Sequence, residues 1–188
     1  MKKEKQKNLN LNEEIEFSSG INIEVKDNQI TMKKENKEIS RKFSPLLKVS
    51  VNGNKIVISS RKATKKEKKI FGSLKAHVRN MIQGLDEGFK YKLQAVSVHF
   101  PITLKVDEAN NKLLIKNFLG EKKDRVIRLI SGVNIKINKD VIELESADIE
   151  KAGLVASNIE KGTKIRFRDR RIFQDGIFIT EKPGRKII

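Results

Sequence analysis

Cysteine is absent from the 188 residues, and histidine occurs only at His77 and His99. The first absence excludes disulfides and thiolate metal sites, and two imidazoles in separate segments do not make a zinc site. No metal site and no cofactor are expected. No apolar run approaches the roughly 20 residues needed to span a bilayer, and residues 1–10, though basic, lack the hydrophobic region of a secretion signal. A soluble, cytoplasmic protein that does not engage membranes is expected. Phosphate-cradling glycine loops are missing too, since neither G-x-G-x-x-G nor GxxxxGK[ST] occurs. His99 sits in a strand pattern and His77 on a helix, and nothing clusters a nucleophile with a base. No catalytic residue is expected.

What the chain has instead is positive charge. Its 41 Lys and Arg against 24 Asp and Glu leave +17, and self-repulsion of that size is tolerated where a polyanion is bound. With 37% hydrophobic and 35% charged residues it is apolar enough to fold. The charge is also localised. Residues 61–90 carry nine basic and three acidic side chains, residues 161–188 again nine and three, and the span 91–160 eleven and ten.

The hydrophobic pattern repeats. Ile21, Ile23 and Val25 alternate in period two, followed across a turn by Ile30 and Met32; Ile102, Leu104 and Val106, then Leu113 and Ile115, repeat the arrangement. Leu47, Val49 and Val51 lead through Asn52-Gly53 to Ile56 and Ile58, a hairpin whose Asn-Gly pair suits the positive φ angles of a tight turn. Val133, Ile135 and Ile137 run through Asn138-Lys139 to Val141 and Leu144 in the same way. Thr64-Lys-Lys-Glu67 is a capping box, and Ile70, Phe71, Leu74, Val78, Met81 and Ile82 form one helical stripe as far as Gly84. In the second copy Ser146 is expected to cap a helix with Ile149, Ala152, Val155, Ala156 and Ile159 inward and Gly162 at its end. A strand over Tyr91 to Phe100, its phase slipping at Ala95, is expected to close the first copy. The fold class is therefore α+β: two tandem repeats of a small antiparallel sheet packed with one helix. The divisions expected are a flexible basic arm over 1–11, a first repeat over 12–100, a second over 101–180, and a basic extension over 181–188.

The two charged patches differ in character. In the first, Arg61, Lys62, Lys65, Lys66, Lys68 and Lys69 lead into the helix, where Lys68, Gly72, Lys75 and Arg79 fall on one stripe opposite the apolar face. Such a stripe tracks a phosphate backbone or is simply a solvated face. In the second, Ile165-Arg-Phe-Arg168 alternates, so a strand there buries Ile165 and Phe167 and projects Arg166 and Arg168; arginine's planar fork suits phosphate. Asp175-Gly176 reads as the turn of a terminal hairpin between Arg171-Ile-Phe173 and Ile177-Phe-Ile179. Phe167, Phe173 and Phe178 are available to stack on unpaired bases, with core packing their expected role.

Four strings carry a resemblance: Leu74-Lys-Ala-His-Val-Arg-Asn-Met-Ile-Gln-Gly84, Phe100-Pro-Ile102, Asn158-Ile-Glu160, and above all Arg168-Asp-Arg-Arg-Ile-Phe-Gln-Asp-Gly-Ile-Phe178. With the tandem unit they make the chain, from about residue 12 onward, resemble the family of the sixth large-subunit ribosomal protein in its archaeal and eukaryotic form. The resemblance implies two homologous domains on large-subunit ribosomal RNA, near the translation-factor docking site at the stalk base, among neighbouring ribosomal proteins and not as a homo-oligomer. It implies that the second domain and its extension make most of the RNA contact. Lys161, Lys164, Arg166, Arg168, Arg170, Arg171, Arg185 and Lys186 are then the leading contacts, with Lys62, Lys65, Lys68, Lys75 and Arg79 secondary. The competing expectation is an RNA-directed modification or assembly factor that does not reside on the ribosome.

Overall fold

A computed structural model describes residues 11–60, 62, 64–169 and 171–187. The chain falls into two units divided between Glu87 and Gly88. The first contains β1 (Leu11–Glu16), β2 (Asn22–Lys26), β3 (Gln29–Lys34), β4 (Lys37–Lys42), β5 (Leu47–Asn52), β6 (Lys55–Ser60) and α1 (Lys65–Asp86). Its strands form two three-stranded sheets, β1-β6-β5 and β2-β3-β4. The second contains β7 (Phe89–Val96), β8 (Thr103–Asp107), β9 (Lys112–Lys116), a short 3-10 turn (Phe118–Gly120), β10 (Arg125–Arg128), β11 (Asn134–Asn138), β12 (Val141–Ser146), α2 (Ile149–Gly162), β13 (Gly176–Lys182) and β14 (Arg185–Lys186). Here the sheets are β11-β12-β7-β13-β14 and β10-β9-β8.

The tandem repeat is present, and the strand register fixes its true start. In unit one Ile15 pairs with Ile56 and Leu11 with Ser60; in unit two Leu93 pairs with Ile142 and Phe89 with Ser146. One further hydrogen bond extends both ladders identically, Phe17 N–H to the Asn54 carbonyl (3.1 Å) and Ala95 N–H to the Asp140 carbonyl (2.7 Å). Strand β7 therefore opens the second repeat as β1 opens the first. The two compact units part at 87/88, thirteen residues before the 100/101 expected from the pattern. The physical reason lies in β7 itself: Phe89, Tyr91, Leu93 and Ala95 are all buried in unbroken alternation, with Leu93 facing Ile142 on one side and Ile179 on the other. No phase slip occurs at Ala95, and β7 ends at Val96, leaving Val98 and Phe100 exposed.

Other local expectations shift by a few residues. In the first hairpin Asn52 pairs with Lys55, so the two-residue loop is Gly53-Asn54, with Gly53 holding the positive φ of 56°. Helix α1 starts at its capping box as expected. The Thr64 hydroxyl oxygen accepts from the Glu67 N–H (3.3 Å), and the Glu67 carboxylate accepts from the Thr64 N–H (3.1 Å) and hydroxyl (2.7 Å). The helix runs past Gly84, which is buried inside it, and stops where Gly88 takes φ 75° after Glu87. Helix α2 is capped by Asp148, whose carboxylate accepts from the Glu150 N–H (2.9 Å), and not by Ser146. Ser146 is instead buried, donating to the Gly132 carbonyl (2.8 Å) and accepting from the Asp148 N–H (3.2 Å).

Each helix covers the apolar face of its own unit. Helix α1 buries Phe71, Leu74, Val78 and Met81 against a unit whose strands bury Ile15, Ile30, Met32, Ile39, Ile56 and Ile58. In unit two Ala152, Val155, Ala156 and Ile159 of α2 join Leu93, Leu113, Ile115, Ile142, Leu144 and Ile177 in one core. Burial of these side chains outweighs the entropy of ordering them. The capping box is a separable contribution to α1. Thr64→Ala is expected to lower stability by about 1 kcal/mol, and Thr64→Ser to retain most of it, as read from urea unfolding midpoints.

Candidate nucleic-acid interface

Between α2 and β13 the chain leaves regular structure for the residues that hold most of the second basic patch. The expected strand over 165–168 does not form. Thr163 ends α2 with its hydroxyl buried, donating to the carbonyls of Ile159 (3.4 Å) and Glu160 (3.2 Å) and accepting from the Ile177 N–H of β13 (3.0 Å). That bond pins the helix end to the next strand, so the intervening loop must turn outward. Phe167 is the clearest departure: its φ is 59° and it is fully exposed, at 103% of its reference area.

The other end of the loop is fixed by Asp175. Its carboxylate accepts from the Val98 N–H (2.8 Å), the His99 N–H (3.1 Å) and the His99 imidazole Nδ1 (2.5 Å). The Asp175 side chain is completely buried. Burial alone would raise its pKa, but the donated hydrogen bonds outweigh burial and hold the carboxyl below its ordinary value. Asp175-Gly176 is thus not the turn of a terminal hairpin. Strand β13 starts at Gly176 and hairpins instead with Arg185–Lys186, Lys182 pairing with Arg185.

Three of the expected contacts gather at the helix end. Lys161, Gly162, Lys164 and Arg166 line a cleft of about 360 Å³ together with Arg125 of β10. Arg125 was not among the expected residues, because its strand lies in the nearly neutral span of the sequence. Its guanidinium donates to the Gly162 carbonyl (3.0 Å) and to the Glu121 carboxylate (2.8 and 2.5 Å), and lies 4.1 Å from the centre of the Phe118 ring. The Arg125 hydrogen bonds hold Glu121 below the usual carboxylate range.

Arg168 and Arg171 occupy the adjoining turn. Arg168 lies 4.7 Å over the Phe173 ring, which stacks in turn on His99 with centroids 4.9 Å apart. Asp169 shapes the turn by accepting the Arg171 N–H (2.9 Å), while its carbonyl accepts from Phe173 (2.9 Å). The Arg171 side chain is 92% exposed. Arg170 and Arg61 lie outside the described residues. Arg185 and Lys186 are exposed on β14, but they pair with the Glu181–Lys182 end of β13, six residues from Gly176 and so about 20 Å away at ~3.3 Å per residue. They do not join the loop cluster.

The first-helix residues divide. Lys62, Lys65 and Lys68 are exposed. Lys75 and Arg79 instead turn to one carboxylate, that of Glu13 on β1, Arg79 at 3.5 Å. Glu13 stands where the second repeat has the buried Tyr91, so this cation pair serves the unit's own strand. The Ser73 hydroxyl bonds the His77 ring at 3.2 Å. Among the described residues no three His, Cys, Asp or Glu side chains converge as metal ligands, and no helix is long and apolar enough to cross a membrane.

Comparison with known proteins adds an independent line. The family described as ribosomal protein L6 matches the chain twice, over residues 17–88 and 97–176, in keeping with the tandem repeat. The chain is 39% identical to the large ribosomal subunit protein uL6 of Desulfurococcus amylolyticus over 90% of its own length and 94% of the relative's. It is 37% identical to that of Methanococcus vannielii (93% and 96% covered) and 36% identical to that of Methanobrevibacter smithii (92% and 96%).

Asp175 generates a test of how the loop is held. Because its folded pKa is depressed, its contribution is fully present above the unfolded value of about 3.9 and is lost as pH falls through the folded value. Asp175→Asn is expected to cost about 1–3 kcal/mol at pH 7 by weakening the charge-assisted bonds that a buried carboxylate accepts. The gap to the parent should close towards pH 2 in urea denaturation; a pH-independent gap would mean the charge plays no part.

Proposed function

The chain belongs to the ribosomal protein L6 family, and from that premise we propose that it binds large-subunit ribosomal RNA through the loop between α2 and β13. Membership itself makes it a structural component of the large ribosomal subunit and not an enzyme. The enzymatic half of the competing expectation falls away with that. The RNA reading is carried by one observation: Lys161, Lys164 and Arg166 share a cleft with Arg125, and Arg168 and Arg171 stand on the next turn. Phosphate contact supplies sequence-independent affinity, and such a cluster can neutralise several adjacent phosphates.

In this reading the loop docks on folded RNA while the sheet and helix behind it act as a rigid mount. Arg185 and Lys186 form a second, separate contact at the far end of β13. Lys62, Lys65 and Lys68 are minor contributors, and Lys75 and Arg79 contribute least because the Glu13 carboxylate they share offsets half of their combined charge. The position near the translation-factor docking site, beside other ribosomal proteins and as a single copy, follows from the family resemblance.

Replacing Arg166, Arg168, Arg170 and Arg171 together by Ala is expected to weaken binding to purified large-subunit RNA. It should also make the plot of log K against log salt shallower by roughly 3, at about 0.7 to 0.9 per lost phosphate contact. Filter binding across a salt series measures this, with co-sedimentation on large subunits as the companion assay. A slope equal to the parent's would remove the loop as the contact surface. A protein recovered only in the free fraction would remove the ribosomal reading altogether.

A further inference from the structure

We propose that Phe167 is a stacking platform for one unpaired base of the bound RNA, an inference that rests on the α2–β13 loop being the RNA-contacting surface. A single exposed apolar side chain is ordinary on a protein surface. Phe167 is not ordinary in three respects.

The first is its backbone. A φ of 59° is a conformation that L-residues adopt at a cost, and Asn, Asp and Gly tolerate it far better than Phe. Strained positions of this kind persist where their surroundings over-determine them, and they cluster at binding sites. Here the surroundings are on both sides. Thr163 is buried and tied to β13, and Arg168 is laid over Phe173 while Asp169 closes the following turn. The loop is thereby held so that the ring of Phe167 points away from the protein.

The second is the contrast with the neighbouring rings. Phe173 carries Arg168 over its ring and stacks on His99, and Phe178 lies over Gly176, where an added Cβ would come within 2.9 Å of its ring. Those two phenylalanines are committed to the fold. Of the three aromatic residues in this segment, Phe167 alone is fully exposed, while Phe173 and Phe178 are half-buried.

The third is the charge around it. Arg166 and Arg168 are the chain neighbours of Phe167, with Lys164 and Arg171 three and four positions away, and the nearest acid in sequence, Asp169, is occupied by Arg171. A basic protein surface is repelled from such a site. A polyanion is attracted to it, and the only apolar faces an RNA offers are those of its bases. Bases inside a helix are already stacked, so the partner is an unpaired one, held by its π-face with its phosphates on the arginines. Stacking of this kind tolerates any base.

The chain has no tryptophan, so Phe167→Trp makes a unique fluorescent reporter. Titrated with purified large-subunit RNA, the Trp variant is expected to bind as the parent does and to be strongly quenched. Phe167→Ala is expected to weaken binding by roughly fivefold to a hundredfold without changing the salt slope. Phe167→Leu should be nearly as weak, since it keeps apolar area but no ring. Phe167→Asn separates ring from backbone, because Asn holds positive φ readily: it should be as weak as the Ala variant. Parental binding by the Ala or Asn variant, rescue by Leu, or an unquenched Trp on bound RNA would each overturn the proposal. If the arginine variant flattens the salt slope while the Phe variants bind normally, only the stacking inference fails. If neither set alters binding, the loop itself is not the RNA contact.

Discussion

A completely buried carboxylate, that of Asp175, sets where the chain can go between α2 and β13. Strands β7 and β13 meet at the Val96–Gly176 pair, and Asp175 sits at that meeting point, accepting two backbone N–H groups and an imidazole from the residues that follow β7. A charge so deeply placed is tolerated only because every bond it needs is supplied. Thr163 performs the same task at the other end of the loop, its hydroxyl joining the last turn of α2 to the Ile177 N–H. With both ends clamped, Ile165 packs against the core of unit two while Lys164, Arg166, Arg168 and Arg171 stand exposed on the loop. Among the described residues no buried side-chain polar atom lacks a partner, so the anchoring leaves no hidden debt elsewhere.

Duplication explains why two patches of similar composition end up in different service. The repeats share a strand, a three-stranded meander, a hairpin and a helix, in matching register. Unit two then adds β13 along the free side of β7, and with it the loop that carries the arginines. Unit one has no such strand among the described residues, and β1 is the edge of its sheet. Its inward position at Glu13 is acidic where the second repeat has Tyr91, and the carboxylate draws Lys75 and Arg79 to itself. Surface ion pairs of this sort add little stability, but the one shared carboxylate cancels one of the two positive charges otherwise available to a partner.

The sequence made the repeat, the α+β class, both hairpins and the start of α1 legible, because each has a local cause: period-two or 3.6-residue alternation, a turn residue, a capping box. It concealed whatever depends on pairing partners. Strand β1, Leu-Asn-Glu-Glu-Ile-Glu, offers one buried apolar residue and three acids, so its alternation is invisible until β6 is seen beside it. Strand β7 was visible but ambiguous, since element order alone does not say on which side a strand pairs. At Asp175-Gly176 the local turn signal was overridden, because the carboxylate found donors 76 and 77 positions away in the chain. Ile165 to Arg168 alternate like a strand, yet the clamp at Thr163 and the left-handed Phe167 rule one out. Arg125 had no signal of its own; only the packing of β10 against the end of α2 brings it to the cleft.

The placement of that cleft at a helix C-terminus needs its own account, because the exposed carbonyls and the negative end of the helix dipole should repel phosphate. The structure removes most of that repulsion from within. Arg125 donates to the Gly162 carbonyl, the Thr163 hydroxyl to those of Ile159 and Glu160, the Thr163 N–H to that of Ile159, and the Lys164 N–H to that of Lys161. The same arginine is held by Glu121 and by the Phe118 ring, so its position does not depend on a ligand. Once the helix end is satisfied by a fixed guanidinium, the charges of Lys161, Lys164 and Arg166 act outward with little of their field spent on the helix. A site of this construction favours preorganised docking over folding on contact, and the ordering cost that a disordered basic tail would incur on binding is largely met when unit two folds.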